Sequence, residues 1–149
     1  MQTDIVYGYG FEFDIADAET FLAFLKKHES VIPQIACNSS AFITNFEKNM
    51  DNPEAGLEEI DDICYVLYGE YAGYWVAQII AAETGIRFDY QQASEYYSAK
   101  LMLAETYPWR MNEAEKNLTE ESCQEILEKY QEELGIKTSI DYDRVEYFG

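Results

Sequence analysis

The sequence predicts a single α+β domain over residues 1–149, a small, mostly antiparallel sheet of roughly three to five strands with helices packed on it. Three observations lead there. Period-two alternation occurs near the start, the middle and the end of the chain, and helical spacing fills the intervals. Although 29 acidic residues against 10 Lys plus Arg give a formal charge of -19, 48% of the chain is hydrophobic, so the apolar residues build a core that the acids coat. At 149 residues the chain has the length of one domain with a sizeable interior.

Residues 4–13 read as the first strand, with Ile5, Tyr7, Tyr9, Phe11 and Phe13 on one face and Val6, Gly8, Gly10 and Glu12 on the other. The glycines leave that second face bare, so another backbone can approach closely. Asp14 or Asp17 caps a helix running to about Glu29, whose Ala18, Phe21, Leu22 and Leu25 form a stripe. Lys26, Lys27 and His28 suit the negative end of its dipole. Val31 to Ile35, around Pro33, reads as an irregular link, after which Asn38, Ser39 or Ser40 caps a helix bearing Phe42, Ile43 and Phe46. Asp51, Asn52, Pro53 and Gly56 mark a loop. From Leu57 the positions Ile60, Cys64, Leu67 and Tyr71 step at helical spacing, with a buried strand over 63–68 as the alternative.

Tyr71 to Thr84 reads as a buried helix closed by Gly85. Ile86 to Tyr90 and Tyr96 to Ala104 make a hairpin about a turn at 91–95, ended by Tyr107, Pro108 and Trp109. Asn112 with Glu115 is a capping pair. Thr119 opens the last helix, whose stripe is Cys123, Ile126, Leu127, Tyr130 and Leu134, and Gly135 stops it. Residues 138–148 add a final strand.

The charge excludes some function classes. Nucleic acid and anionic membrane surfaces would both be repelled, whereas a cationic partner would be attracted. No basic segment followed by an apolar stretch opens the chain, and no run approaches the roughly 18 apolar residues of a membrane span. A soluble, cytoplasmic protein is expected. Cys37, Cys64 and Cys123 are odd in number and lack a C-x-x-C spacing, which reads as reduced thiols packed as small hydrophobes. No metal or cofactor is expected: phosphate-loop and zinc motifs are absent, and Asp141 and Asp143 lack the glycine and distal glutamate of a calcium loop. His28 reads as structural.

Two acid clusters and a set of tyrosines are the candidate partner-binding residues. Glu121, Glu125, Glu128 and Glu132 share one face of the last helix, a carboxylate every ~4.5 to 6 Å over about 16 Å. The phosphates of one DNA strand follow at about 3.4 Å along the axis, so the row is in the same range of charge density. Glu58, Glu59, Asp61 and Asp62 crowd a second segment. Tyr65, Tyr68, Tyr71 and Tyr74 recur at spacings of three, and tyrosine beside carboxylate suits arginine-rich protein, with Tyr68 and Tyr71 as the expected contacts.

The stretch Tyr107-Pro108-Trp109-Arg110-Met111-Asn112-Glu113, continued by Glu115-Lys116 and Leu118-Thr119-Glu120-Glu121, resembles a segment of small uncharacterised proteins of phages and mobile elements in Gram-positive gut bacteria. The opening Tyr7-Gly8-Tyr9-Gly10-Phe11 adds to it. The resemblance implies a context in which small acidic proteins antagonise host defence nucleases, as anti-CRISPR or anti-restriction proteins do. The expectation is a non-enzymatic inhibitor that mimics nucleic acid on a basic surface of a host defence protein. The alternatives are a small-ligand binder or carboxylate enzyme using Glu12 or Asp89, and a structural or assembly protein of a mobile element. Plain solubility is a further reading of the acids.

Overall fold

The computed structural model describes residues 3–36, 39–92, 99–103 and 108–148. Across them run β1 (Thr3–Glu12), α1 (Ala18–Lys27), a 3-10 turn (Glu29–Val31), α2 (Ile32–Ile35), α3 (Ser39–Asn49), α4 (Leu57–Tyr68) and α5 (Ala72–Thr84). They are followed by β2 (Phe88–Gln92), β3 (Ala99–Leu103), a 3-10 turn (Pro108–Arg110), α6 (Glu113–Lys116), α7 (Glu120–Leu134) and β4 (Ile140–Phe148). The four strands form one antiparallel sheet in the order β2-β3-β1-β4, the α+β architecture that the patterning predicts.

β1 is central and pairs along most of its length with β4, from Thr3 opposite Phe148 to Phe11 opposite Ile140. Its other edge meets β3 only at Gly10, Phe11 and Glu12. A Cβ at Gly10 would run into the Leu101 carbonyl, so the bare face of β1 admits the β3 backbone itself. The register puts Phe11, Leu101 and Tyr90 side by side, with Phe88 and Leu103 on the same face. This face meets the helices: the Tyr90 ring lies where a Cβ on Gly73 of α5 would stand.

The helices bury the predicted stripes. Asp17 caps α1 through the Thr20 N–H at 2.7 Å, and Ala18, Phe21, Leu22 and Leu25 are buried with Phe24. Phe46 of α3 closes edge-to-face on Phe21 at 5.1 Å. Thr119 and Asn112 cap α7 and α6 with complete capping boxes. Gly69, Gly85 and Gly135, at positive φ, end α4, α5 and α7, the left-handed conformation that glycine adopts without steric cost. Cys64 and Cys123 are buried free thiols, as the cysteine count implies, while Cys37 and Asn38 lie outside the described residues.

Several expectations shift. Residues 29–35 are two short helical turns rather than an irregular link, because Pro33 sits in a first turn, where its missing N–H is not needed. The strand alternative for 63–68 fails, since α4 runs through Tyr68. Tyr71 leaves that stripe and becomes the N-cap of α5 once Gly69 breaks the helix. β2 begins at Phe88 and not Ile86, because the N–H groups of Ile86 and Arg87 are held by Thr84 Oγ1 and Glu115 Oε2. It also runs on through Gln91 and Gln92, which pair with Lys100 and Ala99. The predicted second hairpin strand is observed over Ala99–Leu103; Tyr96, Tyr97, Ser98, Ala104 and Tyr107 lie outside the described residues.

Leu127 is fully buried on the inner face of α7. Replacing it with Ala is expected to cost about 2–5 kcal/mol, measured by urea unfolding. A loss of only a few tenths would mean that α7 does not seal the core.

Candidate functional site

Burial divides the acids into two sets with different chemistry. The inward set centres on His28, which is 4% exposed. Its Nδ1 lies 2.6 Å from Glu83 Oε2 and its Nε2 2.6 Å from Glu133 Oε2. Lys27 Nζ stands 2.6 Å from the other Glu133 oxygen, and the Tyr130 hydroxyl donates to Glu83 Oε1 at 2.6 Å. Phe24 and Tyr130 cover the imidazole, with ring centroids 4.5 and 5.7 Å away. Burial pushes the Glu133 carboxyl up, but hydrogen bonds and charge from Lys27 and His28 outweigh it and hold the group below the usual carboxylate range. Burial, followed by the Glu83 carboxylate, raises the Tyr130 phenol. With both ring nitrogens engaged, the cluster is a tie between α1, α5 and α7.

Periodicity places the two carboxylates on buried faces without naming their partner. Glu133 falls three residues after Tyr130 on the apolar stripe of α7, and Glu83 follows Ile79 and Ile80 by four and three. A carboxylate on a buried stripe calls for a hydrogen-bonding or cationic partner, but spacing alone does not point to His28, the only His of the chain, at the distant end of α1. Glu115 belongs to the same inward set: its carboxylate, 2% exposed, receives Arg87 Nη2 at 2.6 Å and the Asn112 N–H at 3.1 Å. The Arg87 hydrogen bond, aided by the Asn112 and Arg87 N–H groups against the cost of burial, lowers its pKa.

Asp61 also turns inward, which corrects its place in the predicted surface cluster. It sits between Leu57 and Cys64 on the buried side of α4, is 9% exposed, and accepts the Ala72 N–H at 2.9 Å. That bond satisfies a first-turn donor of α5, which has no side-chain cap of its own. Burial raises the Asp61 pKa to about 6, against the opposing Ala72 bond. Tyr68 is likewise structural: its ring stacks on Phe42 at 3.9 Å and its hydroxyl donates to the Phe42 carbonyl.

The outward set remains. Glu121, Glu125, Glu128 and Glu132 are all exposed on α7, opposite Cys123, Leu127 and Tyr130. Among the described residues none of the four pairs with a lysine or arginine; Gln124 donates to Glu128 at 3.0 Å, and Lys129 lies 5.6 Å over the Tyr130 ring. Other cations serve inward or local pairs: Lys26 with Glu47, Lys27 with Glu133, Arg87 with Glu115, and Lys116 with Glu113. On α4, Glu58, Glu59 and Asp62 are exposed, the first two in the first turn, where the positive end of the dipole favours them. Tyr71 is half-buried and stacks against the exposed Tyr65 at 5.3 Å. The two acid faces do not merge, since α7 packs on α1 and β4 whereas α4 packs on α3 and α5.

The acids of the alternative reading lie on the sheet face opposite the helices. Gly10, Glu12, Lys100, Met102, Thr138, Ser139 and Asp141 line a cleft of about 110 Å³, while Asp89 lies on the same face two strands from Gly10. The cleft is well below the ~300 Å³ at which small-molecule pockets begin. Two of its hydroxyls are already used within it: Thr138 Oγ1 donates to the Glu12 backbone carbonyl and Ser139 Oγ to Asp141, both at 2.7 Å. Among the described residues no cluster of His, Cys, Asp and Glu could hold a metal, and no helix is long and apolar enough to cross a membrane. Scans against family models, curated proteins and solved structures find no match.

The Asp61 carboxyl gives a test with a definite sign. Its folded pKa of about 6 lies above the unfolded value of about 4, so ionising it costs stability as pH rises across that window. Asp61→Asn keeps an oxygen for the Ala72 N–H and removes the charge. Relative to the wild type, the variant should gain on the order of 2 kcal/mol between about pH 4 and pH 7, measured by denaturant unfolding at each pH. A difference that does not change with pH would show that the carboxylate is not desolvated.

Proposed function

We propose that the protein is a non-enzymatic acidic binding protein, an inhibitor of the anti-CRISPR or anti-restriction type carried by a phage or mobile element. It occupies a basic nucleic-acid-binding surface of a host defence protein in the bacterial cytoplasm. The observation that carries this reading is the α7 row, four exposed glutamates with no ion pair among the described residues, on a chain whose neighbouring cations serve other contacts. A groove that binds phosphates through lysine and arginine meets in that row a similar line of negative oxygens. The α7 core stripe and capping box hold the row on a rigid element, so little ordering is needed on binding. The likeness of residues 107–121 to proteins of phages and mobile elements supports the context. Nucleic acid itself is repelled.

Changing Glu121, Glu125, Glu128 and Glu132 together to Gln preserves helix propensity and leaves the buried face untouched. With a partner captured from host lysate, the association rate is expected to fall about ten-fold or more, with a smaller change in dissociation. Wild-type binding should weaken steeply as salt rises. A control exchanging the exposed Glu19, Glu29, Asp51 and Glu54 removes the same charge and should have a much weaker effect. Equal losses from both sets would assign the effect to net charge rather than arrangement, and no loss from the α7 set would remove the proposal's basis.

A further inference from the structure

We infer that the outer face of α4 is an arginine-binding site, on which a basic protein partner seats an arginine against Tyr65 and Asp62 with an apolar neighbour on Val66. The inference rests on the reading that the partner is a basic protein, and places a contact on a face separate from the α7 row. Tyr65 is 55% exposed and Val66 82%, adjacent large apolar side chains that take no part in the core. The opposite side of α4 buries Ile60, Asp61 and Cys64, so packing already accounts for the helix without them.

The arrangement around Tyr65 fits a guanidinium. Tyr71, the N-cap of α5, stacks on Tyr65 at 5.3 Å with 28° between the planes, which holds the outer ring in place before anything binds. Asp62 precedes Tyr65 by three residues and Val66 by four, and Glu58 precedes Asp62 by four, spacings that make each pair neighbours on the helix surface. Asp62 and Glu58 are exposed, and among the described residues neither pairs with a cation. A planar guanidinium can lie on an aromatic face while its N–H groups bind a carboxylate at the ring's edge, a combination that a lysine ammonium does not match. Carboxylates around an exposed ring and valine therefore select a basic occupant over a purely apolar one.

Octa-arginine and octa-lysine peptides of equal charge probe the site directly. The wild-type protein should bind octa-arginine about three-fold more tightly, the size of an exposed cation–π contact, with amide shifts in NMR spectra concentrated at residues 58–71. Tyr65→Leu retains the apolar bulk at an exposed position and should abolish the preference; Asp62→Asn should reduce it. The quadruple Gln variant of α7 should weaken both peptides alike and leave the preference intact. Equal binding of the two peptides by the wild type, or a preference that survives Tyr65→Leu, would overturn the site. Shifts at α4 that follow protein concentration without peptide would assign this face to a second copy of the chain and also overturn it. If the α7 variant leaves peptide binding unchanged while the arginine preference persists, the α7 row fails as a recognition element and the α4 site stands.

Discussion

The rest of the structure depends on how one imidazole is placed. His28 stands at the C-terminal end of α1, Glu83 in the last turn of α5, and Glu133 in the last turn of α7, so three helix C-termini converge on one buried point. Each brings the negative end of a dipole, and two bring carboxylates in addition. Left alone these groups would repel one another. The imidazole lies between the carboxylates at 2.6 Å on each side, and Lys27 adds a cationic group to Glu133. An N–H on both ring nitrogens is available only in the imidazolium form; with a neutral ring, one carboxyl must carry the proton. In either case protons sit between the acids, and the three helix ends can close.

That junction fixes which way α7 faces. With Cys123, Leu127, Tyr130 and Leu134 turned inward and Glu133 drawn to His28 and Lys27, Glu121, Glu125, Glu128 and Glu132 are left on the exposed side of α7. The same division recurs on α4, where Asp61 caps α5 and Glu58, Glu59 and Asp62 point outward. Acids that the fold uses are paired with specific donors. The others are exposed to solvent.

Most of the fold was legible because periodicity and punctuation agreed. The Asp17, Asn112 and Thr119 caps, the Gly85 and Gly135 stops and the α7 stripe all rest on local chemistry that tertiary packing did not override. The α7 acid row was legible for the same reason, since the buried side of a helix defines its exposed side. Asp61, Tyr68 and the His28 tie were not, because each depends on a partner distant in sequence: the Ala72 N–H, the Phe42 ring, and two carboxylates 55 and 105 residues away. A spacing of three made Tyr65, Tyr68, Tyr71 and Tyr74 look like one set. Gly69 splits them between two helices, and only Tyr65 is left fully outward.

The most direct test of this account is a double-mutant cycle between His28 and Glu133, using His28→Gln, Glu133→Gln and the pair, followed by urea unfolding. If His28 ties the helix ends by charge and hydrogen bonding, each single change should be strongly destabilising and the pair far less than additive, with a coupling of about 1–3 kcal/mol. Additive losses, with no coupling beyond a few tenths, would show that the helices close without the tie and would contradict the account.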